Sequence, residues 1–321
     1  MAVSGDDKDT DTQTHRTLGL ETHPNDELDE DEFFSSNIES WWKVVWKRFR
    51  RHKLALFGVF IIAVFAFLAA FAPVIARSDP AELHLEVIEN GQPVPPSTEF
   101  WFGTDALGRD YFARTIYGGR ISLLVGVVSA GISLLIGVPL GCLAGYYGGL
   151  VDTIISRLID ILLSIPTFFL ILTVNAILKP NIFNVMVILG IFGWMGTARL
   201  VRAEILKLKE QDFIQAARSL GLGNARIVFS HLLPNVLGPV IVSATLSVAQ
   251  AIVTESSLSY MGLGVQEPVP SWGSMLRASQ QYIVKAPWLA IIPGAMISLV
   301  VLGLNFIGDG LRDAIDPRMK T

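Results

Sequence analysis

The residues of this chain best suited to specific binding lie in a polar stretch, residues 212–234, between two apolar runs. Asp212 is placed to accept hydrogen bonds from the free amides at the start of a short helix, and Gln215 is placed to reach back to it. The spacing therefore predicts a capped helix that starts at Asp212. Carboxylate, amide and backbone groups in this pattern support hydrogen-bonded docking and give no sign of bond-breaking chemistry.

Glycines and a proline divide this stretch into two predicted helices. Gly221 and Gly223 end the first helix, because glycine readily adopts the left-handed conformation found at helix C-termini. Asn224 is then predicted to cap a second helix, residues 225–233, which Pro234 ends because it has no N–H to donate. Helices this short are unstable alone, so the stretch predicts a surface that a partner holds.

The sequence carries none of the motifs expected of an enzyme. It contains no G-x-x-x-x-G-K-[ST] phosphate-binding loop, and its five histidines show no HExxH or other metal-ligand spacing. Its one cysteine, Cys142, lies in an apolar run and cannot form an intrachain disulfide. We therefore expect a non-catalytic protein without cofactor or metal, whose energy comes from another subunit.

Apolar runs dominate the rest of the chain, of which 51% is hydrophobic and 17% is charged. A bilayer core of about 30 Å needs about 20 helical residues to cross. Six runs come near or exceed that length, and they predict an all-α, polytopic membrane protein with six transmembrane helices. The predicted spans are residues 54–76, 121–145, 161–178, 182–198, 235–254 and 286–308.

The distribution of positive charge predicts the direction of these spans. With the N-terminus inside, the inner segments hold 16 Lys and Arg and the outer segments hold seven. The positive-inside rule therefore places both termini and the stretch at 212–234 in the cytoplasm. We expect a multi-pass protein of the cytoplasmic, or inner, membrane.

Three regions follow from this pattern. Residues 1–40 carry 12 Asp and Glu against two Lys and Arg, so we expect a disordered acidic tail in the cytoplasm. Residues 41–120 combine a basic, tryptophan-rich anchor with the first span and an extracytoplasmic loop, and residues 121–321 form a core of five spans. The anchor favours contact with membrane lipid and not with nucleic acid, because a span follows it directly.

Small residues, prolines and charges predict how the spans pack. Gly137, Gly141 and Gly145 recur at four-residue spacing, which places them on one helix face where another helix can approach closely. Pro166 is expected to kink the third span. Two ion clusters are also predicted, Arg157 with Asp160 and Asp105 with Arg109 and Asp110.

The spacing of Gln215-Ala216-Ala217, Gly221 and His231-Leu232-Leu233-Pro234 resembles the EAA loop of permease subunits from binding-protein-dependent ABC importers. In that family the loop is the coupling helix, which docks on a cytoplasmic ATPase. This chain departs from the pattern at Gln215, where glutamate is usual; the change removes a charge but retains size and hydrogen-bonding reach. The resemblance implies that the ATPase-coupling residues are Asp212, Gln215, Ala216, Ala217, Gly221, His231, Leu233 and Pro234.

Three further segments, residues 102–110, 145–166 and 255–276, are similar to the dipeptide and oligopeptide permeases of the same superfamily. This resemblance implies a heterodimer with a second homologous permease subunit, two cytoplasmic ABC ATPase subunits and an extracytoplasmic substrate-binding protein. Nickel and glutathione permeases are similar enough to leave the cargo open. An ATP-independent channel or secondary transporter is the alternative from another functional class.

Glu255 is the acidic residue placed nearest to membrane depth, about 30 Å along the fifth predicted span. Charged residues inside a membrane are costly and often functional. Two interpretations stay open, a structural pair and a position at the mouth of a translocation path.

Overall fold

The computed structural model describes residues 41–84, 86, 92–178 and 181–315, except for the side chains of Trp41 and Trp42. The predicted acidic tail, residues 1–40, lies outside the described residues. The unit that begins at Val44 is compact. Apart from a bridge between Thr104 and Asp110, the regular structure of the described residues is helical, which confirms the all-α class.

The helices differ in length and are joined by connections of different length. A π-helical segment, Ile227–Leu232, joins two of them into one continuous helix from Asn224 to Tyr260. In chain order, the α-helices of the described residues are α1 (Trp41–Phe49), α2 (Lys53–Ala70), α3 (Ala72–Ile75), α4 (Tyr111–Tyr147), α5 (Gly149–Leu163), α6 (Thr167–Ile177), α7 (Ile182–Lys209), α8 (Asp212–Ser219), α9 (Asn224–Arg226), α10 (Leu233–Tyr260), α11 (Trp272–Ser279) and α12 (Trp288–Ile315).

Five segments in the described part of the chain are long and apolar enough to cross a membrane: α2, α4, α7, α9 with α10, and α12. A sixth span results if α5 and α6, which are bent by 78°, count as one. The expected kink at Pro166 is confirmed, and the span extends beyond the predicted residues 161–178 because α5 already starts at Gly149. The break between α5 and α6 follows from local backbone preferences. The α conformation is disfavoured for the residue before a proline, and the proline itself has no N–H to continue the helical hydrogen bonds.

The predicted glycine face packs α4 against α7. A Cβ atom on Gly141 would lie 2.6 Å from the Ala198 carbonyl oxygen, and one on Gly145 would lie 2.8 Å from Ile205. Gly137 makes a similar approach to α7. Because no larger residue fits at these distances, the prediction of close helix packing is confirmed.

One end of the bundle, here called the loop end, carries residues 210–223 and the C-terminal end of α4. Ion pairs join α5 to α7 near this end. Arg199 Nη2 lies 2.6 Å from Asp160 Oδ1, and Arg202 pairs with Asp152. The predicted pairing of Asp160 with Arg157 is wrong, because α7 presents a guanidinium directly to this carboxylate.

At the opposite end, a largely buried ion network joins the segment before α4 to the segment after α10. Arg109 Nε lies 2.7 Å from Asp105 Oδ2, and its Nη1 lies 2.5 Å from Glu267 Oε2. Arg114 Nη2 donates to the other Glu267 oxygen at 2.9 Å. Burial lowers the pKa of Arg109, but the Glu267 hydrogen bond and the charge of Asp105 outweigh it and raise the pKa above its ordinary value. The predicted pairing of Asp105 with Arg109 is confirmed, whereas Asp110 caps α4 by accepting from a backbone amide.

Candidate functional site

The apolar side of α8 is buried in the loop end of the bundle. Ile214 and Ala217 pack into a cluster with side chains from α4, α7, the π-helical segment and α10. This burial stabilises a helix of eight residues that would not form alone. The other buried members of the cluster are Cys142, Tyr146, Val201, Ile205, Ile227, Leu232, Val236 and Val240. α8 is therefore a firmly held element.

The predicted capping arrangement at the start of α8 is wrong. Asp212 is the first helical residue, and the cap position falls on Gln211, whose side chain makes no capping hydrogen bond. Gln215 does not reach back to Asp212, because its Nε2 donates to the Lys209 carbonyl at 3.2 Å. Only two residues connect α7 to α8, so a carbonyl left free at the end of α7 comes within reach of Gln215. Asp212 still complements the positive end of the α8 dipole.

The predicted glycine corner after α8 is confirmed. Gly221 has a φ of +75°, in the left-handed region that glycine tolerates. The Leu222 amide donates to the Ala217 carbonyl at 3.2 Å, and the Gly221 amide donates to the Arg218 carbonyl at 2.9 Å. These are the two hydrogen bonds of a Schellman motif, and they turn the chain from α8 into α9.

The second predicted short helix does not end at Pro234. The helix that begins at Asn224 continues through the π-helical segment, and Pro234 lies in the first turn of α10. A wider helical turn directly before a proline accommodates its ring and its missing N–H. Asn224 is not the cap, a position held by Gly223; its Oδ1 accepts a hydrogen bond from the Tyr146 hydroxyl at 2.8 Å. The loop thus leads into the fifth span without a break.

The eight predicted coupling residues differ in exposure. Asp212, Gln215, Ala216, Gly221 and Pro234 are exposed, His231 and Leu233 are half-buried, and Ala217 is buried.

The exposed surface of α8 carries an apolar strip beside the polar residues Asp212, Gln215 and Ser219, a feature that the sequence analysis missed. On this outer face Ala216 is flanked by Phe213 and by Leu220, the residue directly after α8, which are 45% and 80% exposed. Their spacing of three and four residues from Ala216 is the signal that was available, since such residues share one helix face. A solvent-facing apolar patch on a firmly held helix is typical of an interaction surface.

Glu255 is fully buried near the end of α10 and is surrounded by hydroxyl groups. Ser259 Oγ donates to Oε1 at 2.6 Å, and the hydroxyls of Ser122 and Ser256 lie 3.4 Å from Oε2. The structural pairing that was left open therefore takes the form of hydrogen bonds from serines and not of an ion pair. Glu255 does not line the cavity described below.

We expect Glu255→Gln to retain most of the stability of the chain and Glu255→Leu to lower that stability. Glutamine can accept the hydrogen bond from Ser259, whereas leucine leaves buried hydroxyls unpaired, at about 1–3 kcal/mol for each group. The thermal midpoint of the detergent-solubilised chain measures the difference. A glutamine variant as unstable as the leucine variant would show that the negative charge, and not hydrogen bonding, holds this end of α10.

A half-open cavity of about 290 Å³ lies between α4, α6, α7 and α10. The Ser133 hydroxyl at its wall is buried and has no hydrogen-bond partner among the residues that the structure describes. The wall of the cavity combines apolar side chains with hydroxyl and amide groups. Its polar lining residues are Ser129, Ser133, Thr167, Ser247, Gln250 and Thr254.

The sequence contains a weak signal for this cavity. Ser129 and Ser133 are four residues apart in the second predicted span, and Gln250 and Thr254 repeat that spacing in the fifth. The spacing places polar side chains on one face of each helix. Only the packing of the helices shows that these faces meet.

Two sequence families match this chain. Residues 137–321 match the family described as binding-protein-dependent transport system inner membrane component. Residues 40–93 match the N-terminal transmembrane domain of oligopeptide transport permease C.

Similar proteins extend these matches over most of the chain. The dipeptide transport system permease protein of Alkalihalophilus pseudofirmus is 44% identical over 93% of this chain and 96% of its own length. The oligopeptide transport system permease protein of Bacillus subtilis is 40% identical over 90% of this chain and 93% of its own length. The glutathione transport system permease protein of Escherichia coli is 41% identical over 88% of this chain and 92% of its own length.

A solved structure agrees with the fold. A chain from inward-facing conformations of the MetNI methionine ABC transporter is 21% identical, with a TM-score of 0.54 over 64% of this chain and 97% of that one. Together with the extensive sequence identity to permeases, this agreement is consistent with the predicted multi-pass inner membrane protein. The chain therefore belongs to the family of inner membrane components of binding-protein-dependent transport systems, and it is a permease subunit of an ABC importer.

Proposed function

We propose that this permease couples to a cytoplasmic ATPase through residues 212–234 and forms half of a translocation pathway for di- and oligopeptides. The observation that carries the proposal is the outer face of α8, where Phe213, Ala216 and Leu220 face solvent while the inner face is anchored. A partner that covers this face removes apolar surface from water, which is favourable by about 25 cal/mol per Å². The ATPase is the partner we assign to it.

The predicted coupling residues take different roles in this proposal. Ala216 and Gln215 meet the ATPase, Asp212 supports the start of α8, and Gly221 sets the turn after it. Ala217 anchors α8 in the bundle. The remaining residues, His231, Leu233 and Pro234, begin the fifth span and receive the displacement.

The assembly that we propose contains four kinds of subunit. A second homologous permease forms a heterodimer with this chain, two ATPase subunits bind at the loop end, and a substrate-binding protein delivers cargo at the opposite end. Both termini and the loop end face the cytoplasm, as the excess of Lys and Arg on that side predicts. The basic anchor contacts lipid headgroups. The division at residues 40 and 120 stays a prediction.

Cargo passes along the cavity between α4, α6, α7 and α10 in this scheme. The described lining residues offer hydroxyl and amide groups and no charged side chain, which suits the neutral amides of a peptide. Relatives named as dipeptide and oligopeptide permeases support peptides, while relatives named for glutathione keep this small peptide as a second candidate. Glu255, close to the end of α10, stays a candidate for the mouth of the path.

In the proposed mechanism, closure of the ATPases displaces residues 212–234 as a unit. α8 joins α7 by two residues, and beyond the glycine corner a continuous helix from Asn224 leads into α10, so the displacement reaches both spans. Their movement switches the cavity between inward and outward access.

Purification of the tagged full-length chain from its own membrane tests this proposal. We expect an ABC ATPase and a second permease to copurify in mild detergent. The assembly, reconstituted in liposomes with the binding protein, should take up radiolabelled dialanine or a labelled pentapeptide only with ATP. Glutathione and Ni²⁺ serve as competing cargoes that separate the three specificities.

A different result would redirect the assignment. Uptake that follows the solute gradient and needs no ATP would favour the channel or secondary transporter, which the family membership does not favour. ATP-driven uptake of Ni²⁺ and not of peptides would support the coupling proposal and overturn the assignment of peptides as the cargo.

A further inference from the structure

Tyr146, near the end of α4, is contacted at three separate points by the loop and by the last residue of α7. Its hydroxyl donates to Asn224 Oδ1 at 2.8 Å, beyond the glycine corner. Lys209, before α8, donates from Nζ to the Tyr146 carbonyl at 2.9 Å. Arg218, within α8, places its guanidinium 5.7 Å from the centre of the Tyr146 ring. Residues before, within and after α8 thereby contact one residue, two of them through its side chain and Lys209 through its carbonyl.

Each of these contacts satisfies a physical need of the end of α4. A carbonyl in the last turn of a helix has no partner within that helix, and a lysine there complements the negative end of the helix dipole. A guanidinium within about 6 Å of an aromatic ring is attracted by its electron-rich face. The Tyr146 side chain is almost wholly buried, so its hydroxyl requires a hydrogen-bond partner, which Asn224 supplies.

α4 connects this point to the cavity. Ser133 lies thirteen residues before Tyr146 in the same helix, about 20 Å away along the axis. The chain itself links the loop only to α7 and α10, so covalent connections alone would leave α4 behind when the loop moves. The Tyr146 contacts, the packing of Cys142 in the cluster that holds α8, and the glycine face shared with α7 tie α4 to that movement.

We infer that Tyr146 is a positioning residue that transmits movement of the loop to α4 and so to one wall of the cavity. The inference rests on the proposed coupling function. In this role, the directional Tyr146–Asn224 hydrogen bond keeps the loop and the end of α4 together as one body. The apolar packing of the Tyr146 ring is not directional, so by itself it would let the loop slide along the end of α4.

The test compares Tyr146→Phe, Asn224→Ala and the double variant in the reconstituted full assembly. Uptake of radiolabelled dialanine and hydrolysis of ATP are measured in the same liposomes. We expect each single variant to retain its ATPase subunits and its hydrolysis rate. Uptake per ATP should fall about fivefold, the factor for one hydrogen bond of ordinary net strength. The double variant should be no worse than either single one, because both remove the same bond.

Tyr147→Phe is the matched control, since Tyr147 is the next residue and is 56% exposed. It should leave uptake per ATP unchanged. Normal uptake per ATP in Tyr146→Phe, or losses that multiply in the double variant, would overturn the inference. So would dissociation of the ATPase from the Tyr146→Phe assembly, because that result would make Tyr146 part of the docking surface. Failure of any ATPase to copurify with the native chain would instead overturn the proposed function, and this inference with it.

Discussion

An Ala216→Asp variant is expected to insert and fold like the native chain and to lose ATP-driven uptake. Ala216 is exposed at the centre of the outer face of α8, so the new carboxylate stays hydrated in the free subunit. Surface changes of this kind usually alter stability by no more than about 0.5 kcal/mol. In the docked state the same charge is buried without a partner, at about 3–5 kcal/mol. That penalty corresponds to a loss of roughly two to four orders of magnitude in affinity.

Three measurements check this expectation: the amount of chain in the membrane, the ATPase retained on purification, and uptake of labelled peptide. Ala278→Asp is the matched control, because Ala278 is an exposed alanine of α11 at the opposite end of the bundle. It receives the same charge and should retain the ATPase. Normal uptake with Ala216→Asp would rule out the outer face of α8 as the coupling surface.

Gly221→Pro is the companion variant, and it alters the shape of the loop without adding charge. Proline holds φ near about −65°, which is incompatible with the φ of +75° at this position, and it lacks the N–H that Gly221 donates to Arg218. We expect uptake to be lost here as well, with membrane insertion intact. Loss of uptake in both variants would show that coupling requires both the surface of α8 and its placement.

A Gly141→Ala variant is expected to lower the stability of the whole bundle. The added methyl group would lie 2.6 Å from the Ala198 carbonyl oxygen and 2.7 Å from Val201 Cβ, so α4 and α7 must move apart. Overpacking of this kind costs about 1–3 kcal/mol. The shift also disturbs the cluster that holds α8, so coupling should weaken together with stability.

Gly131→Ala is the control, and its effect should have the opposite sign. A Cβ atom on Gly131, in the same helix, meets nothing within 4 Å. Alanine is favoured over glycine inside a helix by about 1 kcal/mol. Thermal midpoints in detergent measure both variants. Equal destabilisation by the two substitutions would show that close packing of α4 on α7 does not depend on the glycine face.

Features that depend only on residues close together in the sequence were predictable from the sequence. The apolar runs indicate the number of spans because length and hydropathy are local properties. The break at Pro166 and the turn at Gly221 follow from the backbone conformations that proline and glycine permit. The small-residue face of α4 follows from spacing alone. The family resemblance rests on the same kind of local pattern.

Side-chain partners were less predictable, because they belong to other helices. Asp160 has Arg157 one turn away but pairs with Arg199, since α7 lies against it. Gln215 reaches Lys209 and not Asp212, because the turn between α7 and α8 is so short.

The same distinction applies to the candidate site. The sequence by itself determined a membrane protein with six apolar spans and an exposed polar loop that contains a short helix, because periodicity, apolar length and backbone preference act over a few residues. Only the tertiary structure decided that the loop continues into the fifth span past Pro234, that serines surround Glu255, and that Tyr146 joins the loop to α4. These outcomes depend on which helices become neighbours, and a buried polar group takes the partner that packing brings within reach.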